Sequence, residues 1–165
     1  MKPKILFILH LPPPIHGAAM MGKYIQESEL VNSSFDCFCI NLATAGSLSD
    51  IGHISLKKLL KYFFLLKHIS HVVRVIRPEL VYITPNAGGK AFFKDFIVVQ
   101  MLKSMGCKVI AHYHNKGVSV YQSKWVYNFF YKRFFSNLKV ILLAENLYKD
   151  IAKYVKREDV YICPN

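Results

Sequence analysis

The chain has 165 residues and is strongly basic, with 22 Lys and Arg against ten Asp and Glu. Its length suits one domain, and a hydrophobic content of 53% excludes an intrinsically disordered chain. The formal charge of +12 predicts either a solvated basic surface or an anionic partner, such as nucleic acid, a lipid surface or a phosphorylated substrate.

The cysteines and the N-terminus predict a reducing compartment. Cys37 and Cys39 are closer together than zinc ligands usually are, and no second pair follows, so we expect four buried thiols and no metal site. The apolar stretch "KILFILHL" is short and ends in prolines, unlike a signal peptide. We also expect no membrane span, since no uncharged apolar run approaches roughly 18 residues.

Strands and helices are predicted to alternate. The first half is expected to contain a strand at 4–11, a helix at 18–30, a strand at 35–42, a loop at 43–53 and a helix at 55–77. The apolar residues of this last helix keep helical spacing, at Leu56, Leu59, Leu60, Phe63, Leu66, Ile69 and Val73.

The second half continues the same alternation. It is expected to contain strands at 80–85, 108–114, 139–144 and 159–165, and helices at 89–105, 123–137 and 146–155. Gly106 directly follows one helix, as C-terminal glycines do. The alternation predicts an α/β fold of one Rossmann-like domain, a doubly wound parallel sheet that binds ligands outside the carboxyl ends of its strands.

Three loops follow predicted strands, in "HLPPPIHGAA", "TPNAGGK" and "HYHNKG", and we expect them to converge at one edge of the sheet. In "HLPPPIHGAAMM" the prolines end the strand, and His16, Gly17 and Ala18 stand at a helix N-terminus, where free N–H groups can bind a phosphate. A plain tight turn is the alternative, since the dinucleotide pattern G-x-G-x-x-G is not matched. In "TPNAGGK", Gly88 and Gly89 free the backbone, and Lys90 can contact an acceptor phosphate. The alternative is a glycine turn followed by a solvated lysine.

These segments resemble bacterial glycosyltransferases of the family-4 type, which have the GT-B fold. "LHLPPPIHGAAMMGKYI" is similar to their first loop, and "AHYHNKG" to the His-containing loop after a central strand. "ILLAENLYKDI" and "VYICPN" resemble the segments before the interdomain linker, although many members have Ser where Ala144 stands. The resemblance implies that 1–165 is the N-terminal, acceptor-side domain of a retaining enzyme, with the C-terminal donor-binding domain absent and the fragment inactive alone.

The resemblance also implies the ligands and their residues. It predicts a nucleotide-sugar donor, bound mainly by the missing domain, a glycan or lipid-linked acceptor, and no cofactor. His114 is the expected catalytic residue, bonding a sugar hydroxyl or stabilising a leaving diphosphate; a structural histidine is the alternative. The expected substrate-binding residues are His16, Gly17, Ala18, Gly88, Gly89, Lys90, His112, Asn115 and Glu145. No carboxylate occurs between Asp95 and Glu145, so the loop of His112 and His114 has no acid–base partner nearby in the sequence, and only the fold could supply one.

Cations and aromatic rings gather on two predicted helices. The residues expected to face an anionic membrane are Lys57, Lys58, Lys61, Trp125, Lys132 and Arg133. The alternative is that the rings pack on the sheet and the cations face water. A non-catalytic module at an anionic membrane is the alternative function, whereas a nucleic-acid partner rests on charge alone and is not expected. The expected location is cytoplasmic, peripheral on the inner face of the membrane.

Overall fold

The computed structural model describes residues 2–13, 15, 17–42 and 56–164, without the side chain of Lys57. The predicted loop at 43–53 and His16 lie outside the described residues. The elements of the first half are β1 Lys4–Leu9, α1 Gly17–Glu27, α2 Glu29–Ser34, β2 Asp36–Asn41, α3 Leu56–Ile76 and β3 Leu80–Ile83. Those of the second half are α4 Gly89–Ser104, β4 Val109–Tyr113, α5 Val118–Tyr121, α6 Trp125–Phe135, β5 Lys139–Leu142, α7 Tyr148–Ile151 and β6 Val160–Ile162.

The strands form one six-stranded sheet in the order β2-β1-β3-β4-β5-β6. The sheet is parallel throughout and is flanked by helices, so the predicted Rossmann-like α/β fold is confirmed. By contacts the chain divides into two compact units, Met1–Tyr82 and Ile83–Asn165. The order changes direction at β1, which has β2 on one side and β3 on the other.

The first unit is built on β1. All residues of this strand from Ile5 to Leu9 are buried, as expected of a strand that is covered on both faces. Ile5, Phe7 and Leu9 form a core cluster against which the half-buried Ile25 and Tyr82 pack. The continuous apolar run in the sequence therefore predicts this strand correctly.

The predicted helix at 18–30 is wrong as one element. The helix stops at Glu27, and Ser28 begins α2 by accepting a hydrogen bond from the Val31 N–H on its side-chain oxygen, at 3.4 Å. Serine is a preferred residue at the start of a helix because it satisfies one of the free N–H groups there. In the second unit, the predicted helix at 146–155 shortens to a 3₁₀ turn over Glu145–Leu147 and the single turn of α7.

The expectation of four buried thiols is also wrong. Cys39 and Cys163 are exposed, while Cys37 and Cys107 are half-buried, and all four are free thiols. Cys39 lies on β2, an edge strand on which only Ile40 is buried, so alternation along the strand leaves this thiol facing solvent. Contact with the rest of the chain covers part of the Cys39 side chain, and this partial burial raises the pKa of its thiol.

The second unit has an aromatic core between α4 and α6. Phe92 is fully buried, and its ring centre lies 4.6 Å from that of Tyr131 and 5.5 Å from that of Phe134. Lys103 fastens the same two helices at their carboxyl ends. Its ammonium donates to the main-chain oxygens of Phe134 and Ser136, each at 2.6 Å, and a cation is stabilising at a helix C-terminus.

The apolar spacing of α3 does not produce one buried stripe. Ile69 and Val73 are buried, but Leu56, Leu59 and Phe63 are exposed. Within the described part of the chain, no helix is long and apolar enough to cross a membrane.

We expect Phe92→Ala to lower the free energy of unfolding by about 3–5 kcal/mol, because it removes the ring at the centre of this core. The matched control is Phe129→Ala on α6, whose ring is 45% exposed and should cost about 1 kcal/mol or less. Urea unfolding followed by circular dichroism measures both. Equal losses in the two variants would contradict the described core.

Candidate functional site

A buried carboxylate holds the loop after β3 in place. Asp95 of α4 is only 1% exposed, and its Oδ2 accepts hydrogen bonds from the Asn86 main-chain N–H and side-chain amide, both at 2.8 Å. Burial raises the pKa of Asp95 to about 6, and the two bonds from Asn86 oppose that rise. Asp95 thus fixes the direction in which the chain leaves β3.

The same loop is tied to two further elements through Ala87. The Ala87 N–H donates to Asn115 Oδ1 at 3.0 Å, and the Ala87 carbonyl accepts from the Tyr131 hydroxyl at 2.6 Å. Asn115 belongs to the loop after β4, and Tyr131 to α6. We call these contacts of Asn86 and Ala87 with Asp95, Asn115 and Tyr131 the loop clamp.

The glycines beside the clamp have distinct structural reasons. A Cβ added to Gly88 would overlap the ring of Tyr121, so only glycine permits this close approach. Gly89 has a φ of +68°, in the left-handed region that favours glycine. The exposed Lys90 follows within the first turn of α4. The structure therefore brings the Gly88–Lys90 segment and Asn115 to the same part of the second unit.

His112 and His114 stand together at the carboxyl end of β4. Their ring centres are 4.2 Å apart, so the two side chains lie on the same face. His112 is buried, whereas His114 is half-buried. Burial, and secondarily the neighbouring His114, lowers the pKa of His112 to about 4, so His112 is neutral at neutral pH.

A second carboxylate orders the loop that follows the histidines. Asp150 of α7 accepts from the N–H groups of Gly117, Val118 and Ser119 at 2.9, 3.0 and 3.0 Å, and also from the Ser119 hydroxyl. Burial raises the pKa of Asp150, but these hydrogen bonds outweigh it and hold the pKa below its usual range. The Asp150 carboxylate thus accepts hydrogen bonds from the free N–H groups at the start of the short helix α5.

Two buried oxygen atoms in this region lack a hydrogen-bond partner among the described residues. They are Asp95 Oδ1 and the oxygen of the Tyr113 hydroxyl. Burial raises the pKa of Tyr113 well above its usual range, and Tyr131, Asp95 and Asp150 raise it further. The fold therefore brings both carboxylates within electrostatic reach of the strand that bears the histidines, although they are distant from it in sequence.

The other predicted substrate-binding residues are not part of the loop clamp. Gly17 is exposed at the start of α1 and Ala18 is half-buried beside it, both in the first unit. A site shared by this first loop and the other two stays a prediction. Glu145, after β5, accepts two hydrogen bonds from Arg157, at 2.8 and 2.6 Å, so that its carboxylate is already paired.

The residues predicted to face a membrane are divided between the units. Lys61 is exposed on α3 and Lys58 half-buried, while Trp125, Lys132 and Arg133 are exposed on α6. The interpretation that the aromatic rings of α6 pack inward is correct for Tyr131, Phe134 and Phe135, which are buried. Trp125, at 81% exposure, is not part of that core.

Sequence reasoning missed Asp95, Asn86, Tyr131 and Asp150. A signal exists for Asp95, which interrupts the apolar run "FFKDFIVV" three residues after Phe92 and three before Val98, on the buried side of α4. A charged residue on the inner stripe of a helix needs a partner there. No comparable signal exists for Asp150. Among the described residues, no group of three His, Cys, Asp or Glu could hold a metal ion.

Asp95→Asn is expected to become more stable relative to the wild type as pH rises. The raised pKa means that the folded protein favours the protonated carboxyl, so the wild type loses stability between about pH 4 and about pH 6 and does not recover it above. Asparagine keeps the acceptor for Asn86 without the charge. Urea unfolding at about pH 4.5 and about pH 7.5 should show a difference that grows by about 2 kcal/mol. A difference independent of pH would contradict a buried carboxylate of raised pKa.

Asp150→Asn should behave in the opposite way. Its depressed pKa means that the carboxylate stabilises the fold at neutral pH, and that this contribution disappears as the pH falls through the Asp150 pKa. The amide would also direct an N–H group at main-chain donors. We expect a loss of about 1–2 kcal/mol at neutral pH, allowing for partial exposure, and a smaller loss in acid. Thermal unfolding across pH measures it, and a loss that grows in acid would refute the assignment.

The chain was compared with models of protein families, with curated proteins and with solved structures, and none of the three comparisons gave a match. What the site does is therefore inferred from the residues and geometry described above.

Proposed function

We propose that the chain is the N-terminal, acceptor-side domain of a retaining glycosyltransferase. The complete enzyme transfers a sugar from a nucleotide-sugar donor to a glycan or lipid-linked acceptor. The observation that supports this most is the pair of His112 and His114 at the carboxyl end of β4 in a parallel sheet. Ligands of such sheets bind outside the carboxyl ends of the strands.

The histidine pair suits the chemistry of sugar transfer. The reaction breaks the bond between the sugar and a nucleoside diphosphate, and negative charge grows on the leaving oxygen. An imidazole N–H that bonds a sugar hydroxyl or this diphosphate stabilises the transition state. Because His112 is neutral at neutral pH, the pair meets its ligand with at most one positive charge. We assign the substrate contact to His114, at the start of the loop after β4, and a supporting role to His112. Both ring nitrogens of His114 are buried in the structure, so this contact requires the ring to turn outward.

The loop clamp supports an acceptor site next to the histidines. Asn115 follows His114 directly and holds Ala87 at 3.0 Å, so the clamp fixes the two loops to each other. Lys90 is exposed at the start of α4, where the helix N–H groups and the ammonium can both bind a phosphate oxygen. A lipid-linked acceptor with a diphosphate would provide such oxygens.

His114→Ala should lower turnover in the complete enzyme by roughly tenfold or more, since a contact to transition-state charge contributes a few kcal/mol. Turnover is measured as the release of nucleoside diphosphate from a panel of nucleotide sugars, with membrane lipid extract as acceptor. The matched control is His68→Ala, which changes an exposed histidine of α3 and should retain full turnover.

Two results would contradict the proposal in different ways. Unchanged turnover of His114→Ala, with an intact thermal transition, would return His114 to a structural role. No transfer from any nucleotide sugar by the wild-type enzyme would refute the glycosyltransferase assignment itself.

A further inference from the structure

The N-terminal part of α3 exposes a group of large apolar side chains. They lie within about two and a half turns and are 51% to 74% exposed. We call them the α3 apolar face; they are Leu56, Leu59, Leu60, Phe63 and Phe64. Single exposed leucines are ordinary in soluble proteins, but a contiguous apolar patch marks a surface that binds something.

This face is distinct from the side of α3 that packs in the core. Ile69 and Val73 of α3 are buried. At 100° per residue, the α3 apolar face is centred roughly 130° around the helix from these two residues. The exposed leucines and phenylalanines are therefore not the outer edge of the buried stripe. They form a second apolar surface that points away from it.

Cations continue the same surface toward the end of the helix. Lys67 lies one turn beyond Phe63, with its Nζ 4.7 Å from the centre of that ring. The exposed Arg74 lies about five turns from Leu56, directly in line with it along the helix. The exposed Lys61 borders the face, and the sequence of α3 contains no Asp or Glu. The apolar face is thus bordered by one cation, Lys61, and is followed along the helix by two more, Lys67 and Arg74.

We propose that the α3 apolar face docks on an anionic lipid bilayer. A bilayer surface offers acyl chains beneath a layer of anionic headgroups, and α3 matches the first with its apolar face and the second with the cations beside and beyond that face. The stem of Lys67 lies beside Phe63, so its ammonium can reach a headgroup phosphate while the ring enters the acyl boundary. Nucleic acid would leave the aliphatic side chains without a partner, so the composition of the face favours lipid.

The docked helix lies in the interface and does not cross it. As noted for the described residues, no helix is apolar and long enough to span a bilayer. A helix with apolar and cationic surfaces of this kind binds through buried apolar area together with attraction to anionic lipid. This inference does not rest on the glycosyltransferase proposal, since it involves none of the residues of the histidine pair or the loop clamp.

Binding is tested by co-sedimentation of the full chain with phosphatidylcholine vesicles that contain or lack phosphatidylglycerol. We expect binding only to the anionic vesicles. Lys61→Gln combined with Lys67→Gln should weaken it by about 25-fold at low salt, at about fivefold per cation, and by less at high salt. Leu60→Ser combined with Phe63→Ser should weaken it by roughly tenfold or more at both salt concentrations, because apolar burial is not screened.

Matched controls use exposed residues outside α3. Leu30→Ser removes a leucine of 76% exposure, and Lys108→Gln combined with Lys149→Gln removes two exposed cations. Both controls should bind anionic vesicles as the wild type does. Thermal unfolding of every variant establishes that it is folded before its binding is compared.

A fluorescent reporter locates the contact directly. Trp125 is the single tryptophan, so Trp125→Phe gives a dark background into which Phe63→Trp is introduced. Its emission should shift to the blue on anionic vesicles and be quenched by brominated acyl chains, whereas Leu30→Trp in the same background should show neither effect.

Four results would overturn the proposal. The first is wild-type protein that binds neutral and anionic vesicles equally, and the second is folded α3 variants that bind as the wild type does. The third is a tryptophan at position 63 that brominated acyl chains do not quench although the protein is bound. The fourth is tight binding of single-stranded oligonucleotide, or self-association through α3, in a protein that does not bind vesicles.

Discussion

The loop clamp determines the geometry of the candidate site. Asp95, Asn115 and Tyr131 come from three different elements, and all of them bond to the main chain or side chain of two consecutive residues, Asn86 and Ala87. A buried main-chain group that loses its partner costs about 1–3 kcal/mol, so the loop cannot shift without several such losses. The loop after β3 and the loop after β4 are therefore held in one arrangement.

This arrangement has a cost in stability, which is concentrated at Asp95. The carboxyl is buried, its Oδ1 has no partner within the described chain, and burial raises its pKa to about 6. Asp150 is the opposite case, a carboxylate whose hydrogen bonds to main-chain N–H groups lower its pKa. Folds keep costly buried charges mainly where function needs them. Under the proposed function, Asp95 is a positioning residue, because it orients the loop that leads to Lys90 and makes no contact with substrate itself.

The sequence predicts the elements better than the contacts between them. The apolar run that forms β1 and the glycine that ends α4 both follow from rules of local sequence, and both predictions are confirmed. Gly106 has a φ of +77°. The break at Ser28 depends on one hydrogen bond, which the helical pattern does not reveal. Partners such as Asn115 and Ala87 are 28 residues apart, so only the fold can bring them together. On α3 the helical spacing is right, yet periodicity alone cannot say whether an apolar face meets the core or another surface.

Amide chemical shifts of the isotope-labelled chain test the site most directly, during titration with a short-chain prenyl-diphosphate sugar as acceptor probe. The account predicts saturable shifts at 86–90 and at 112–117, which weaken in His114→Ala without loss of fold. The groove lined by Gln100, Lys103 and Arg133 provides the internal comparison, and its amides should not move. Shifts confined to that groove, or none at all at concentrations that saturate the complete enzyme, would contradict an acceptor site at the carboxyl ends of β3 and β4.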